Sequence, residues 1–273
     1  MVKDIRMKIL VTGSEGYIGQ HLCKMLSKLD YDVYRLDKKI NFDILYDLED
    51  YMFSLNDMPW QFDTIIHLAA LVRVGESVSK PTEYYRTNVQ GTINLLDSVE
   101  CNNFIFASTG AAASPDSPYG FSKRIAEDIV REKSKNHTIF RFYNVIGTDG
   151  YEPTNPDGLF YKLIEATKTK SFTVYGNDYN TSDGTCVREY VHVNDICRAI
   201  IKAIENPSNS IENLAYGDTK TVGEIIDIFK QTNEVDFDVV YDKRRPGDLE
   251  ACYLENPSKY MERNYTYYDM LKM

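Results

Sequence analysis

The chain has 273 residues, of which 43% are hydrophobic and 26% are charged, an ordinary globular composition that excludes a collagenous or low-complexity protein. Its 31 basic and 41 acidic residues leave a net charge of −10, so we expect no nucleic acid and no membrane surface among its partners. No apolar run approaches the ~20 residues that span a bilayer, and the five cysteines lack C-x-x-C spacing, which favours a cytoplasmic protein with reduced thiols and no metal site.

Short apolar strands alternate with amphipathic helical segments over the first part of the chain. Strands are predicted at Met7–Thr12, Asp32–Leu36, Asp63–Leu68, Asn103–Ala107 and Thr138–Phe142, and helices at Tyr17–Leu29, Thr82–Glu100 and Tyr119–Lys133. This alternation is typical of βαβ units. We therefore predict an α/β protein with a Rossmann-like, doubly wound parallel sheet that carries helices on both faces.

The pattern loosens after about residue 145. Gly, Pro, Asn and Asp crowd residues 147–158 and 176–184, as in long loops. Shorter elements are predicted between and after them: helices at Leu159–Thr167, Val193–Ile204 and Thr221–Gln231, and an extended segment at Phe172–Tyr175. The sequence thus predicts a Rossmann-like domain over residues 1–147, to which residues 185–205 also contribute, and a smaller α/β lobe over residues 148–273.

A glycine-rich turn separates the first strand from the first helix. Gly13, Gly16 and Gly19 have the spacing G-x-x-G-x-x-G, which allows a tight turn, a close approach of the backbone to a pyrophosphate and close packing of the helix on the strand. Asp37 ends the second strand, where a carboxylate accepts hydrogen bonds from ribose hydroxyls and repels a 2′-phosphate. The pattern favours NAD over NADP, and a strand–turn–helix without a ligand is the alternative.

A tyrosine and a lysine have the spacing Y-x-x-x-K at the start of a predicted helix. Tyr119 and Lys123 share one helix face, so the ammonium can lower the pKa of the phenol and make it a general base for a sugar hydroxyl. A hydroxyl partner is expected at the end of the preceding strand, where Thr109 is preferred and Ser108 is the second candidate. A packing tyrosine with a surface lysine is the alternative interpretation.

With these two motifs the chain resembles the extended short-chain dehydrogenase/reductases, and among them the UDP-glucose (UDP-galactose) 4-epimerases. The resemblance runs from about Lys8 to Leu249. Its motifs are VTGSEGYIG (11–19), HLAA (67–70), NVQGT (88–92), NFIFAST (103–109), SPYGFSK (117–123), RFYNVIG (141–147), GNDYNTSDGTCVREYVHVND (176–195) and RRPGD (244–248).

The resemblance implies roles for residues in both parts of the chain. The cofactor NAD would be bound by Gly13, Gly16, Tyr17, Ile18, Gly19, Asp37, Asp43, Ile44, Leu68, Ala69, Ala70, Asn88, Tyr119, Lys123 and Tyr143. The UDP-sugar substrate would be bound by Asn144, Leu159, Thr173–Tyr175, Arg188, Tyr190, Arg245, Asp248 and Cys252. Of these, Asn144, Arg188 and Arg245 would hold the diphosphate. Guanidinium groups suit that role, because one guanidinium can donate two parallel hydrogen bonds to two phosphate oxygens.

Three departures from the family pattern bear on the substrate. Only nine residues separate Thr109 from Tyr119, a shorter stretch than is usual in these epimerases. Val72 stands where a lysine is common, with Arg73 beside it. Cys252 falls where some members carry a bulky tyrosine that limits the sugar pocket. The short stretch and the small side chain together predict a roomier site that accepts N-acetylated sugars.

The activity that the resemblance implies is an NAD-dependent interconversion of UDP-sugars at carbon 4 through a transient 4-keto sugar. The alternatives are another NAD-dependent nucleotide-sugar enzyme (a dehydratase, decarboxylase or reductase) and a non-catalytic NAD-binding protein. Gly110 and Ala111 follow Thr109 where a dehydratase would carry Asp-Glu, which argues against that reaction. By analogy with the family, we expect a homodimer formed through the helices Thr82–Glu100 and Tyr119–Lys133.

Overall fold

The computed structural model describes residues 6–38, 44–45, 61–245, 250–252, 254 and 256–273. Two compact units emerge from it. Unit 1 consists of Met1–Phe142 and Cys197–Glu212, and unit 2 of Tyr143–Ile196 and Asn213–Met273.

The strands and helices have the following bounds. The strands are β1 (Met7–Thr12), β2 (Tyr31–Asp37), β3 (Ile44–Leu45), β4 (Gln61–His67), β5 (Glu100–Thr109), β6 (His137–Phe142), β7 (Asn144–Ile146), β8 (Ser171–Tyr175), β9 (Val187–His192), β10 (Ser210–Leu214), β11 (Thr219–Thr221), β12 (Asp238–Asp242) and β13 (Ala251–Cys252). The α-helices are α1 (Tyr17–Leu26), α2 (Val74–Ser79), α3 (Pro81–Tyr85), α4 (Gly91–Ser98), α5 (Pro118–Lys133), α6 (Leu159–Thr169), α7 (Val193–Glu205), α8 (Val222–Asn233) and α9 (Tyr267–Met270).

Seven strands form the large sheet, in the order β10-β6-β5-β4-β1-β2-β3. The pairs from β3 through β6 are parallel, and their order 3-2-1-4-5-6 is that of dinucleotide-binding sheets. The predicted fold class is therefore confirmed. The strand order reverses between β1 and β4, where Thr12 pairs with His67 at the carboxyl ends of both strands. Ligands of such sheets bind at this switch point.

The large sheet is buried on both faces at β1. Leu10 belongs to a core cluster with Leu95 of α4 and Ala126 of α5, whereas its neighbours Ile9 and Val11, which point to the other face, are also 0% exposed. Burial on both faces is what a parallel sheet covered by helices requires. The remaining members of this core cluster are Leu36, Phe62, Ile65, Val99, Phe104, Phe106, Val130 and Ile139.

The predicted helix Thr82–Glu100 is interrupted. The chain forms α3 first, then a π-helical turn at Arg86–Gln90, and then α4, and Glu100 already belongs to β5. Apolar spacing along a sequence cannot reveal the π-turn, because that turn is stabilised by contacts of Asn88 with segments far away in the chain. Helix α1 likewise ends at Leu26 rather than at Leu29, because the next three residues form tight turns before β2 begins.

Unit 2 contains two small sheets. Strand β9 pairs in parallel with β7 and with β13, and antiparallel with β11, while β8 pairs in parallel with β12. A core cluster of aromatic and aliphatic residues from α6, α8 and α9 fills this unit, including Phe160, Phe229 and Tyr267. None of the helices in the described ranges is long and apolar enough to cross a membrane.

Candidate functional site

The glycine loop between β1 and α1 is tightly packed against the segment that follows β4. Gly13 has a φ of +68°, and a Cβ atom placed on it would lie 2.7 Å from the backbone nitrogen of Ala69. A Cβ atom on Gly19 would overlap the carbonyl oxygen of Gly13 and the backbone of Ser14. Only glycine satisfies both positions, because the first needs a left-handed backbone and the second needs contact with bare backbone.

Asp37 fixes the conformation of the same loop. Its Oδ2 accepts a hydrogen bond from the backbone N–H of Glu15 at 3.0 Å, and its side chain is 8% exposed. The preceding carbonyl of Leu36 accepts from the N–H of Gly13 at 2.9 Å. The end of β2 therefore holds the loop from two successive residues, and it brings the carboxylate that we predicted for the cofactor ribose beside the loop that we predicted for the pyrophosphate.

The loop has two features that fit a pyrophosphate. Helix α1 starts after Gly16, and a glycine has no side chain with which to cap the helix N-terminus. The Ser14 hydroxyl is fully buried and has no hydrogen-bond partner among the described residues. The N–H groups at a helix N-terminus bind phosphate oxygens, and a buried hydroxyl without a partner is available to a ligand.

His67 joins the glycine loop to the segment that would line the cofactor. It is 1% exposed, its Nδ1 lies 2.7 Å from the Thr12 hydroxyl and its Nε2 lies 3.1 Å from the Thr92 hydroxyl. The Thr92 hydroxyl donates its own proton to the carbonyl of Asn88, so Nε2 of His67 is the donor to Thr92. Burial, together with the charge of Lys123, lowers the pKa of His67 to about 3, which keeps the ring neutral.

Asn88 lies in the π-helical turn and ties three segments together. Its Oδ1 accepts from the N–H of Leu71 at 2.8 Å, and its Nδ2 donates to the carbonyl of Leu71 and to the Ser122 hydroxyl, each at 3.0 Å. The Ser122 hydroxyl in turn donates to the carbonyl of Tyr119. Asn88 is 1% exposed, so a buried amide holds the backbone of Leu71, directly after the predicted cofactor residues Leu68, Ala69 and Ala70.

Tyr119 and Thr109 are the residues that we predict for the proton transfer. Tyr119 lies in the second position of α5 and is 8% exposed. Burial raises the pKa of its phenol to about 12, and the Thr109 hydroxyl, which can donate a hydrogen bond to a phenolate, opposes that shift. The Thr109 oxygen accepts from the N–H of Ala111 at 3.3 Å. Its own proton can therefore go to the phenol oxygen.

Lys123 lies one helical turn beyond Tyr119 and is only 3% exposed. Its Nζ lies 4.0 Å above the centre of the Phe106 ring, a favourable site for a cation. Burial lowers the pKa of Lys123 to about 7, and it does so against the charge of Glu127, which raises the pKa. The interpretation of Lys123 as a surface charge is therefore wrong, since its ammonium lies within the core of unit 1.

Ser108, the second candidate for the hydroxyl partner, points elsewhere. Its Oγ donates to Oε1 of Glu127 at 2.5 Å, and Glu127 also receives two hydrogen bonds from Arg141. The structure thus distinguishes the two adjacent hydroxyls, with Thr109 on the phenol and Ser108 on a carboxylate. Sequence reasoning did not identify Glu127 or Arg141, although Glu127 follows Lys123 by four residues and Arg141 opens the RFYN motif.

Strand β9 of unit 2 carries the motif that begins at Arg188. The Arg188 Nη1 donates to the carbonyl of Val187 at 2.8 Å, and the Asn144 side chain donates to the carbonyl of Glu189 at 2.9 Å. Tyr190 is 1% exposed within the core cluster of this unit, and its hydroxyl has no partner among the described residues. Its ring thus packs in the core rather than at an open surface.

The predicted base-binding residues alternate along β8. Thr173 and Tyr175 are half-buried, whereas Val174 between them is 3% exposed and belongs to the core cluster. Thr173 and Tyr175 therefore share one face of the strand and Val174 points to the other. Leu159 at the start of α6 packs against the same core, and the Arg245 guanidinium lies 3.8 Å above the centre of the Tyr175 ring.

Glu189 is a functional candidate that the sequence did not reveal. It is 0% exposed, and its carboxylate accepts hydrogen bonds from the N–H groups of Leu254 at 2.7 Å and Gly217 at 3.2 Å. Burial raises the pKa of Glu189. Cys252, which we predict to line the sugar pocket, pairs with Arg188 in the β13–β9 register. Through its bond to Leu254, Glu189 therefore holds the segment that follows Cys252.

Four predicted site residues remain untested by the geometry. Asp43 and Asp248 lie outside the described residues, and only the backbone is described for Ile44 and Cys252. Tyr143 lies in unit 2, where its hydroxyl is 3.4 Å from Oδ1 of Asn213. Among the residues that the structure describes, no group of three His, Cys, Asp or Glu side chains could hold a metal ion.

Comparison with known proteins identifies similar sequences and folds. A model of the NAD dependent epimerase/dehydratase family matches residues 9–217. The UDP-glucose 4-epimerase of Haemophilus influenzae is 31% identical over 304 residues, covering 90% of this chain and 89% of that protein.

Two solved structures give the same result for the fold. The UDP-glucose 4-epimerase of Bifidobacterium longum, in complex with NAD+ and UDP, superposes with a TM-score of 0.84 at 28% identity and covers 97% of this chain and 96% of its own. The UDP-Glc/GlcNAc 4-epimerase of Campylobacter jejuni superposes with a TM-score of 0.80 at 28% identity and covers 97% of both chains.

Proposed function

Because this chain belongs to the NAD dependent epimerase/dehydratase family, we propose that Tyr119, Thr109 and Lys123 perform the proton transfer of a sugar epimerisation. The chain is an NAD-dependent epimerase that inverts carbon 4 of a UDP-sugar through a transient 4-keto sugar. The observation that carries the assignment of residues is the burial of the Tyr119 phenol, whose pKa the Thr109 hydroxyl lowers, with the buried Lys123 one helical turn away.

The residues around the glycine loop fit bound NAD. The N-terminus of α1 and the Ser14 hydroxyl would hold its pyrophosphate, and Asp37 would hold its ribose. Bound NAD supplies a nicotinamide that takes up and returns a hydride, which amino-acid side chains cannot do. The contribution of the protein is therefore to bind, to orient and to move a proton.

Tyr119 is the proton acceptor that we propose for the sugar 4-hydroxyl. At neutral pH a buried phenol holds its proton, so the phenolate needs help from its surroundings. Thr109 provides a hydrogen bond that stabilises the phenolate, and the Lys123 ammonium provides a positive charge. The same phenol returns the proton when the hydroxyl forms again, so the protein is unchanged after each turnover.

Unit 2 supplies the residues that we propose for the nucleotide of the substrate. Arg188 and Arg245 would bind the diphosphate, since planar guanidinium groups bind phosphate oxygens in pairs. Thr173 and Tyr175 would contact the base from the face of β8 that does not enter the core. A firmly held diphosphate leaves the sugar free to turn between the two proton transfers, which inversion at carbon 4 requires.

The sugar range is proposed to include N-acetylated hexosamines. The short stretch after Thr109 is a single turn at Gly110–Ala112 followed by Ala113, so no large side chain projects from its first part. This supports a roomy site, as does the cysteine at position 252. We expect turnover of UDP-N-acetylgalactosamine beside UDP-galactose in a direct comparison, and strict rejection of the acetylated sugar would contradict the proposal.

A homodimer is proposed on the outer face of unit 1. Phe121 and Ile125 lie four residues apart on α5 and are 45% and 42% exposed, and Val78 of α2 and Tyr85 of α3 are 67% and 37% exposed. Because α2 and α3 pack beside α5, these side chains offer an apolar surface suited to a second copy. For the compartment we propose the cytoplasm, since the described cysteines Cys23, Cys101, Cys186 and Cys197 form no disulfide bond.

The decisive experiment measures conversion without a net redox change. Purified protein is incubated with UDP-galactose and no added cofactor, and the sugars are analysed together with NADH absorbance. Formation of the gluco-configured sugar without accumulated NADH supports epimerisation. Tyr119→Phe should lose at least ~100-fold in kcat while keeping bound NAD, and a variant as active as the parent would show that another group moves the proton.

A further inference from the structure

A fully buried carboxylate lies on α5 one helical turn beyond Lys123. Glu127 is 0% exposed, and Oε1 accepts from the Ser108 hydroxyl at 2.5 Å and from Nε of Arg141 at 2.8 Å, while Oε2 accepts from Nη2 of Arg141 at 2.6 Å. Ser108 and Arg141 are register partners on β5 and β6. Glu127 is thus held in one geometry by two neighbouring strands.

This geometry is more than a surface ion pair. The Arg141 side chain is 11% exposed and that of Glu127 is 0% exposed, and burying charges costs free energy even when they are paired. A fold that needed only packing at this position would be served as well by apolar residues of the same size. The buried charge therefore points to a use for the negative charge itself.

Lys123 is the group that the charge of Glu127 reaches. Residues four apart on a helix lie on the same face, so the Lys123 ammonium has the Phe106 ring on one side and Glu127 one turn below. Of the other titratable groups nearby, Tyr119 shares the helix face and its ring contacts Tyr84 of α3, His67 of β4 feels the charge of Lys123, and Arg141 of β6 is bound to Glu127. Glu127 is the one anion in this described set.

We propose that Glu127 is a positioning residue of the reaction, whose carboxylate, locked by Ser108 and Arg141, keeps Lys123 protonated beside Tyr119. The proposal rests on the proposed function, since a charged Lys123 matters only if Tyr119 must become a phenolate. Burial lowers the pKa of Lys123 to about 7 even though the charge of Glu127 raises it. Without that carboxylate the ammonium would lose its proton at a lower pH still.

The charge of Lys123 can be measured directly. In protein labelled with [13C]lysine, the Cε resonance of Lys123 is identified by its loss in Lys123→Met, and its titration midpoint is followed by NMR. Glu127→Gln should lower this midpoint by about one pH unit, since an opposite charge at this range shifts a pKa by roughly that much or more. Asp128→Asn is the matched control, because Asp128 is exposed on the same helix and pairs with Arg124 and Arg131.

The same variants are assayed for turnover across pH. Loss of the ammonium removes support for the Tyr119 phenolate, so the alkaline limb of kcat should move to lower pH in Glu127→Gln and stay in place in Asp128→Asn. Glu127→Gln leaves Arg141 buried without its carboxylate and can unfold the protein. The double variant E127Q/R141Q replaces both charges by amides and should show the same direction of change in the midpoint and in the alkaline limb.

The outcomes separate this inference from the proposed function. If the parent epimerises UDP-galactose but the Lys123 midpoint and the alkaline limb are unchanged in Glu127→Gln and in E127Q/R141Q, Glu127 is a packing residue and the inference is wrong. A loss of kcat by the same factor at every pH would also overturn it. If the parent fails to epimerise while the midpoint falls as expected, the assigned reaction is wrong but the effect of Glu127 on Lys123 stands.

Discussion

Two adjacent hydroxyls at the end of β5 take different partners. The Thr109 hydroxyl lowers the pKa of the Tyr119 phenol and Ser108 donates to the Glu127 carboxylate, because successive side chains of a strand point in opposite directions. The sequence predicts a hydroxyl here and ranks Thr109 first, but it cannot show what Ser108 contacts. At the scale of single residues, the functional difference between the two is set by the strand.

Thr109→Val is expected to slow turnover and to shift its pH dependence. The Thr109 hydroxyl lowers the pKa of Tyr119, so its removal raises that pKa and reduces the phenolate present at neutral pH. We expect kcat at neutral pH to fall by about 100-fold and the acid limb to move to higher pH, measured as initial rates of UDP-galactose conversion. Ser108→Ala should leave the acid limb in place, and an equal shift in both variants would contradict the assignment.

Asp37→Asn is expected to weaken the discrimination between NAD and NADP. An amide oxygen can still accept from the N–H of Glu15, so the loop is kept, but the negative charge that repels a 2′-phosphate is lost. We expect the ratio of the two Kd values, measured by calorimetry on cofactor-free protein, to fall by about tenfold, equivalent to ~1.4 kcal/mol. Asp32→Asn, an exposed position on the same strand, should leave the ratio unchanged.

Whole elements were predictable where their signal is local. The strand Met7–Thr12, the glycine turn and the helix that begins beside Tyr119 carry their information in adjacent residues, and the structure has them close to the predicted bounds. The sequence assigns no element to the residues of β9, which form a strand by pairing with β7, β11 and β13. It assigns none to α2 either, because that helix is only six residues long.

Gly19→Ala and Gly75→Ala should change stability in opposite directions. A Cβ atom on Gly19 overlaps the backbone of the glycine loop, whereas a Cβ atom on Gly75 in α2 meets nothing within 4 Å. We expect Gly19→Ala to lower the free energy of unfolding by about 1–3 kcal/mol and Gly75→Ala to raise it by about 0.5–1 kcal/mol. Urea denaturation of both variants measures this, and a neutral Gly19→Ala would mean that the loop packs less closely than described.

At the scale of the whole molecule, the net charge of −10 and the anionic substrate pose opposite demands. The composition disfavours a phosphate-backbone binder, but it cannot locate the few cations that a small ligand needs. The cations that we propose for this role, Arg188 and Arg245, lie in unit 2, and the resemblance was needed to select them. The pair of Glu127 and Arg141 could not be found this way, because a buried ion pair leaves no sign in the composition.

Ile125→Glu is expected to dissociate the proposed dimer. A carboxylate in the apolar surface of α5 would meet its own copy across a symmetric interface, and like charges there repel. Sedimentation velocity should show a monomer for Ile125→Glu and the same dimer as the parent for Val240→Glu, a 50% exposed position on β12 of unit 2. A dimer that persists in Ile125→Glu would place the interface elsewhere.

The π-helical turn at Arg86–Gln90 also bears on insertions and deletions. A π-turn contains one residue more than an α-helical turn. The extra residue is accommodated within the turn, so the buried faces of α3 and α4 are unchanged. Deleting one residue from the turn would therefore straighten the helix and still bury Tyr84 and Leu95. It would nevertheless withdraw the Asn88 amide from Leu71 and Ser122. A chain shortened in this way could thus fold normally and yet lose the alignment of the segment after β4 with helix α5.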